Sequence, residues 1–373
     1  MRQKYIYGVV QGDQKALFKI PGLGGSPVYA SAQDGLACFL SDYSGREFGA
    51  FSKEELVRSL FIHQAVVEKI MQEHTVLPLK FGTLMAGEEE VLSFLSQGHH
   101  LLVGALARLH NMVEVEVAAT WDANQVLREL AGQEDIARAR TAMSTMPPGK
   151  ALQHQIRFGQ MLKDAMDRRR DSYQEQMLAF LKPLALEVQD NVLVSDQMVM
   201  NVAFLLNKAR QQEFDERVSH LNDLFLDRIN FRIIGPLPPY SFATVEVGRP
   251  DWEKVESARQ FLHLGKSVSE PQIRKAYRHL AAEIHPDLNP GNGVSAERWA
   301  KLRQASETLL AYCRGLASLE PAGGSFSINR GQVESALLIK INRTGREEVE
   351  ESRFGGGVGH AGYAGSYVST AAS

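Results

Sequence analysis

The tripeptide His285-Pro286-Asp287 places an imidazole and a carboxylate on either side of a residue that ends helices. Pro286 disfavours helical backbone at His285, so both polar side chains are predicted on a loop. The segment leading into it predicts an amphipathic helix. Ile273, Ala276, Tyr277, Leu280, Ala281 and Ile284 recur at the three-and-four spacing of one helix face. Ser269 is placed to cap that helix, Gln272 follows three residues later as in a capping box, and Pro271 is tolerated in the first turn. Arg274, Lys275, Arg278 and His279 fall on the opposite face and give it positive charge. A second amphipathic helix carries Trp299, Leu302, Ser306, Leu309 and Cys313 on one stripe. The two predict an antiparallel helical hairpin with the tripeptide at its tip.

This arrangement resembles a J-domain, the module by which DnaJ-type co-chaperones engage a DnaK-type ATPase chaperone. The likeness runs from about Ala258 to Arg314. It includes Phe261-Leu262-His263-Leu264-Gly265, the Lys275-Ala276-Tyr277-Arg278 core and Asn289-Pro290-Gly291. The resemblance implies that His285, Pro286 and Asp287 trigger the partner's ATP hydrolysis, while Arg274, Lys275 and Arg278 attract its acidic surface. One departure weakens that attraction: Glu283 and Ile284 stand where the family has a basic and an aromatic residue.

Elsewhere, residues of chemical interest do not assemble a site. Gly22-Leu23-Gly24-Gly25 lacks the spacing and following helix of a nucleotide fingerprint. His63 and His74 are eleven residues apart on one helix, about three turns distant, and cannot share a metal. His99 and His100 are neighbours that diverge around a helix. Glu88-Glu89-Glu90 suits a helix N-terminus, and Cys38 sits in an apolar strand as a core residue. Lys80-Phe81-Gly82 reads equally as a partner-binding turn or a strand end. The expectation is a non-enzymatic protein without cofactor or metal.

Hydrophobic residues make up 44% of the 373 and charged residues 23%, the balance of a globular chain with room for more than one core. A net charge of −3 argues against nucleic-acid binding. Arg168-Arg169-Arg170, bracketed by Asp167 and Asp171, reads as a solvated helix face. Two distant cysteines, Cys38 and Cys313, fit a reducing compartment. No apolar run approaches a membrane span, so the expected location is cytoplasmic.

Along the chain, strands are predicted at 5–10, 28–30, 36–40 and 76–80, with Asp34-Gly35 as a turn between the second and third. Helices are predicted at 53–74 and 88–112, the latter interrupted near Gly98. A strand at 113–119 alternates apolar and acidic residues; 123–182 is mostly helical, broken at Pro147-Pro148-Gly149. Strands at 186–194 and 199–206, a helix at 211–225 and a strand at 229–234 complete a β-α-β-β-α-β order, which is ferredoxin-like. A proline-rich turn at 235–240 precedes an extra strand at 242–247, and 333–341 forms a strand without an evident partner. Gly, Ala and Ser dominate from Gly355 on, predicting a disordered tail. The expected class is α+β, with domains at 1–112, 113–247 (ferredoxin-like), 252–316 (helical hairpin) and a tail at 355–373.

A second resemblance covers Met1 to about Val247. Tyr5-Ile6-Tyr7-Gly8-Val9, Leu77-Pro78-Leu79-Lys80-Phe81-Gly82-Thr83, Val113 to Asp122, Val192 to Asn207 and Pro239-Tyr240-Ser241-Phe242-Ala243 are similar in order and spacing to the gas vesicle protein F/L family. That family assists the assembly of gas vesicles, the air-filled protein shells that give aquatic prokaryotes buoyancy. Its fold, an α+β domain followed by a modified ferredoxin-like domain, agrees with the element order above. The resemblance implies binding to the shell protein GvpA and other gas vesicle proteins, with a DnaK-type chaperone as a further partner and no nucleic acid or membrane. The alternative is a general J-domain co-chaperone acting on many clients; client range discriminates the two.

Overall fold

The computed structural model describes residues 3–13, 17–144, 151–226, 228–284, 296–317 and 324–342. They form two compact units, Met1–His110 with Ala243–Asn342, and Asn111–Phe242. The second is thus an insertion in the chain of the first.

The first unit opens with β1 (Gln3–Gln11), β2 (Leu17–Pro21), β3 (Pro27–Gln33) and β4 (Leu36–Tyr43). Asp34 (φ 53°) and Gly35 (φ 78°) make the tight β3–β4 turn, since paired positive φ values match the twist of a hairpin. Next come α1 (Lys53–Met71), β5 (Val76–Pro78), β6 (Leu84–Met85), α2 (Glu88–Gln97) and α3 (His99–Arg108). The strands order as β2-β3-β4-β1-β5, with β6 also pairing β1. The capping box of α1 is complete: Glu55 N–H donates to Ser52 Oγ at 3.2 Å, and Ser52 N–H to Glu55 Oε2 at 2.8 Å. Tyr5, Ile6, Tyr7 and Val9 of β1 and Val66, Val67 and Ile70 of α1 are buried in the core.

The second unit contains β7 (Met112–Thr120), α4 (Ala123–Ala131), α5 (Glu134–Ser144), α6 (Ala151–Leu181), β8 (Glu187–Asp190), β9 (Met198–Asn207), α7 (Gln211–Phe225) and β10 (Asn230–Leu237). Its sheet order, β10-β7-β9-β8, is the ferredoxin-like arrangement the element order implies. Val113, Val115 and Val117 are buried on one face with Phe204, whose ring lies 5.1 Å from Phe214 of α7. The expected break at Pro147-Pro148-Gly149 lies outside the described residues.

Two readings need correction here. The proline-rich turn begins later than expected, because β10 runs on through Pro236 to Leu237. An edge strand tolerates a missing N–H, and the register shifts between Ile234 and Leu237. The extra strand also does not join the ferredoxin-like sheet.

That strand, β11 (Thr244–Gly248), returns the chain to the first unit, followed by α8 (Trp252–Phe261), β12 (Ser267–Val268), α9 (Glu270–Ile284), α10 (Ala296–Ala317), β13 (Phe326–Ser327), α11 (Arg330–Ser335) and β14 (Leu338–Asn342). β14 is the strand that lacked a partner in the sequence: it pairs antiparallel with β11 from Thr244↔Asn342 to Gly248↔Leu338. Val333 belongs to α11 instead. Residues 243–342 therefore group with the N-terminal elements, where the sequence suggested a boundary near 247. The tail expected at 355–373 lies outside the described residues. Among those described, no helix is long and apolar enough to cross a membrane.

Candidate functional site

The α9 helix is positioned by its apolar face. Ile273 is fully buried, and Ala276, Tyr277, Leu280 and Ala281 pack half-buried against a core that includes Val255, Ala258, Leu262, Leu302, Leu309 and Tyr312. Gln272 Oε1 accepts the Ser269 N–H at 2.9 Å, the reach-back half of a capping box, and Ile273 N–H donates to Ser269 O at 3.0 Å. α8 supplies a third helix. Asp251 caps it by accepting the Lys254 N–H at 3.1 Å, and Val255, Ala258 and Leu262 are its buried positions. Sequence analysis touched this helix only through the resemblance at Phe261 to Gly265, although the Asp cap and three-and-four spacing were both present.

Arg274, Lys275, Arg278 and His279 are all exposed, as their spacing predicts. Their charges differ in availability. Glu270 Oε1 accepts from Arg274 Nη2 at 2.7 Å and from Arg314 Nη2 at 3.0 Å. These two hydrogen bonds hold the Glu270 carboxyl below its usual range. Arg278 Nε donates to Arg274 O at 3.3 Å. Among the described residues no carboxylate pairs with Lys275 or Arg278. His279 Nδ1 lies 3.2 Å from Glu283, so the departure at Glu283 faces a neighbour on its own helix. His285, Pro286 and Asp287 lie outside the described residues. α9 ends at Ile284, immediately before them.

α10 buries Leu302, Ser306, Leu309, Tyr312 and Cys313, with Trp299 half-buried at the margin of the cluster. Tyr312 Oη donates to Ser327 O at 3.1 Å, tying α10 to β13. Burial pushes the Cys313 thiol up to about 12 and that of Cys38 further, so neither is a ready nucleophile.

Two polar clusters were not visible in sequence. In the first unit, Tyr5 Oη lies 2.9 Å from His63 Nδ1 and accepts the Gly82 N–H at 3.2 Å. Gly82 has φ 87°, a value that favours glycine. Lys80 N–H donates to Val245 O at 2.8 Å, and Lys80 Nζ pairs with Glu246 at 2.7 Å. Lys80-Phe81-Gly82 is therefore a joint among β1, β5 and β11. Burial holds His63 neutral, lowering it to about 4. In the second unit, Glu114 is 1% exposed, although alternation along β7 assigned it to the wet face. Its carboxyl accepts the Ser241 N–H at 2.8 Å and the Ser241 Oγ–H at 2.7 Å. Burial nevertheless raises it to about 8.

An α+β unit interrupted by a ferredoxin-like unit, with a J-type helical module appended, defines the class. The chain belongs to the gas vesicle synthesis protein GvpL/GvpF family, whose model matches residues 3–244, and it carries a DnaJ domain at 260–312. It is 28% identical over 248 residues to gas vesicle protein F of Dolichospermum flosaquae, a match covering 65% of this chain and 98% of that one. The crystal structure of GvpF from Anabaena superposes with a TM-score of 0.58 at 25% identity, over 65% of this chain and 98% of the other. Over 53 residues, 14% of each chain, it is 45% identical to the DnaJ-related protein spj1 of Schizosaccharomyces pombe.

Proposed function

We propose that this protein is a non-enzymatic gas vesicle assembly factor that holds the shell subunit GvpA and recruits a DnaK-type chaperone to it. The observation that supports this reading most directly is the union of the two modules. The J-type helices share a compact unit with the N-terminal gas vesicle elements, so a chaperone docked on α9 acts beside whatever that unit holds. A shell subunit with exposed apolar strands aggregates unless shielded. In this reading His285 and Asp287 trigger ATP hydrolysis by the chaperone. Lys275 and Arg278 supply its electrostatic attraction, and Arg274 supplies less because Glu270 shares it.

The test compares wild-type protein with His285→Gln in a DnaK-type ATPase assay, with gas vesicle yield measured in cells. Wild-type protein is expected to stimulate the ATPase and the variant to lose that stimulation and lower the yield. Lys275→Ala is expected to slow association and flatten its salt dependence. Absence of stimulation by the wild-type protein refutes chaperone recruitment. A pulldown with tagged shell subunit tests the client, and capture of unrelated clients with equal affinity favours a general co-chaperone instead.

A further inference from the structure

The edge strand β14 is held on both faces. Ile339 is fully buried, and its Cδ1 stands 2.9 Å from where a Cβ at Gly98 would lie. On the other face Leu338 Cδ2 stands 2.7 Å from the corresponding position at Gly315 of α10. Any side chain at either glycine would intrude on the strand. Leu337 N–H donates to Gln97 Oε1 at 3.4 Å, and Asn342 Nδ2 donates to Glu246 Oε2 at 2.6 Å. Lys340 is exposed and lies opposite Glu246 in the register. Glu246 stays below its usual range although burial opposes this, because Lys80 and Asn342 hydrogen-bond to it and the charges of Lys80 and Lys340 assist. β11 in turn meets the β5 edge through a parallel bridge, Leu79↔Val245.

The family model stops at residue 244, and the Dolichospermum relative is matched over 98% of its length. Such a relative retains almost no residues with which to build a counterpart of β14. In a chain without β14, the outer edge of β11 presents unpaired N–H and C=O groups beside an apolar seat at Gly98 and an acid at Glu246. Open edges with these features accept extended segments.

We propose that the β11 edge is a strand-accepting site for an extended segment of alternating apolar and cationic side chains, and that β14 is its exchangeable internal occupant. The backbone ladder fixes the extended form of the guest. The Gly98 seat selects a β-branched apolar residue, and Glu246 selects a cation at the next position. Because Leu338 also packs at Gly315, a guest that displaces β14 loosens α10 from this edge. Occupancy of the edge is thereby linked to the placement of the J-type helices.

A crosslinking experiment on the full chain tests this without knowledge of the natural guest. The protein carries Thr244→Cys, and the probe is a synthetic peptide of residues 336–342 with Asn342→Cys activated as its mixed disulfide with thionitrobenzoate, so that exchange releases the aryl thiolate and Glu246 and Lys340 stay intact. Cys38 and Cys313 are buried and do not compete. The expected result is a disulfide at position 244 forming at least tenfold faster than with a scrambled peptide activated in the same way. Adding Ile339→Asp, which weakens the internal strand and leaves the peptide unchanged, is expected to accelerate it further. A rate equal to that of the scrambled peptide in the Thr244→Cys chain overturns the proposal, and this outcome is readable even where Ile339→Asp fails to fold. No acceleration by a folded Ile339→Asp chain overturns the claim that β14 is the competitor.

Discussion

Glu114 and His63 are buried in different units and respond to pH in opposite senses. The folded state keeps Glu114 protonated up to about 8, against an ordinary value of 4.5, so it binds more protons than the unfolded chain between those limits. Its contribution is complete below the unfolded value and disappears as pH rises through the folded one, a swing of roughly 4–5 kcal/mol at ~1.4 per pH unit. His63 works the other way: held neutral down to about 4 instead of 6.5, it costs stability as pH falls through that window, roughly 3 kcal/mol in total. Hydrogen exchange on the full chain is therefore expected to show residues 111–242 loosening progressively as pH rises from about 4.5 to about 8, and the His63 region loosening as pH falls from 6.5 to about 4. Glu114→Gln keeps an acceptor for the Ser241 N–H and can donate to Ser241 Oγ. It is expected to remove the loss between pH 4.5 and about 8, and an unchanged profile across that window would locate the loss elsewhere. Sequence could not reveal Glu114: alternation along β7 sends it outward, and its partner is more than a hundred residues away.

Among the elements, α9 and α10 were legible because their periodicity is local, whereas α8 and the short α11 were not. Ile273 on the α9 stripe and Leu302, Ser306, Leu309 and Cys313 on the α10 stripe are buried as read, and the β-α-β-β-α-β order gives the observed ferredoxin-like sheet. Register was not legible. β11 and β14 are separated by the whole J-type module, and neither carries a signal naming its partner; only the burial of Val245 and Ile339 between folded neighbours decides it. Depth along a stripe was also hidden. Trp299 looks like the anchor of α10 by size, yet it is half-buried, whereas Leu309 is fully buried. Leu309→Ala is expected to destabilise the first unit by about 2–5 kcal/mol, the usual range for a buried Leu. Trp299→Ala should cost less, because part of the ring already faces water. Denaturant midpoints followed by helix signal rank the two, and the reverse order would place Trp299 at the centre of the cluster.

At the scale of the whole molecule, the appended module is built into the first unit as well as attached after it. A fragment of residues 1–248 keeps β1 to β11 and corresponds to nearly the full length of the matched gas vesicle relatives. It is expected to fold. It also loses β14, the strand paired to the outer edge of β11, with the cover over Gly98 and the Asn342 bond to Glu246. Two consequences follow from exposing an edge of this kind: faster self-association than the full chain, and a lower melting temperature for the first unit. Adding the 336–342 peptide at a hundred times its dissociation constant should restore about 2.7 kcal/mol, since a ligand that binds only the folded state stabilises it by mass action. Light scattering and thermal melts of fragment, fragment with peptide and full chain measure all three effects. A fragment that melts with the full chain and ignores the peptide would mean that β14 merely rests on the edge. A fragment that cannot fold even with peptide present would mean that the J-type helices are part of the first unit's core.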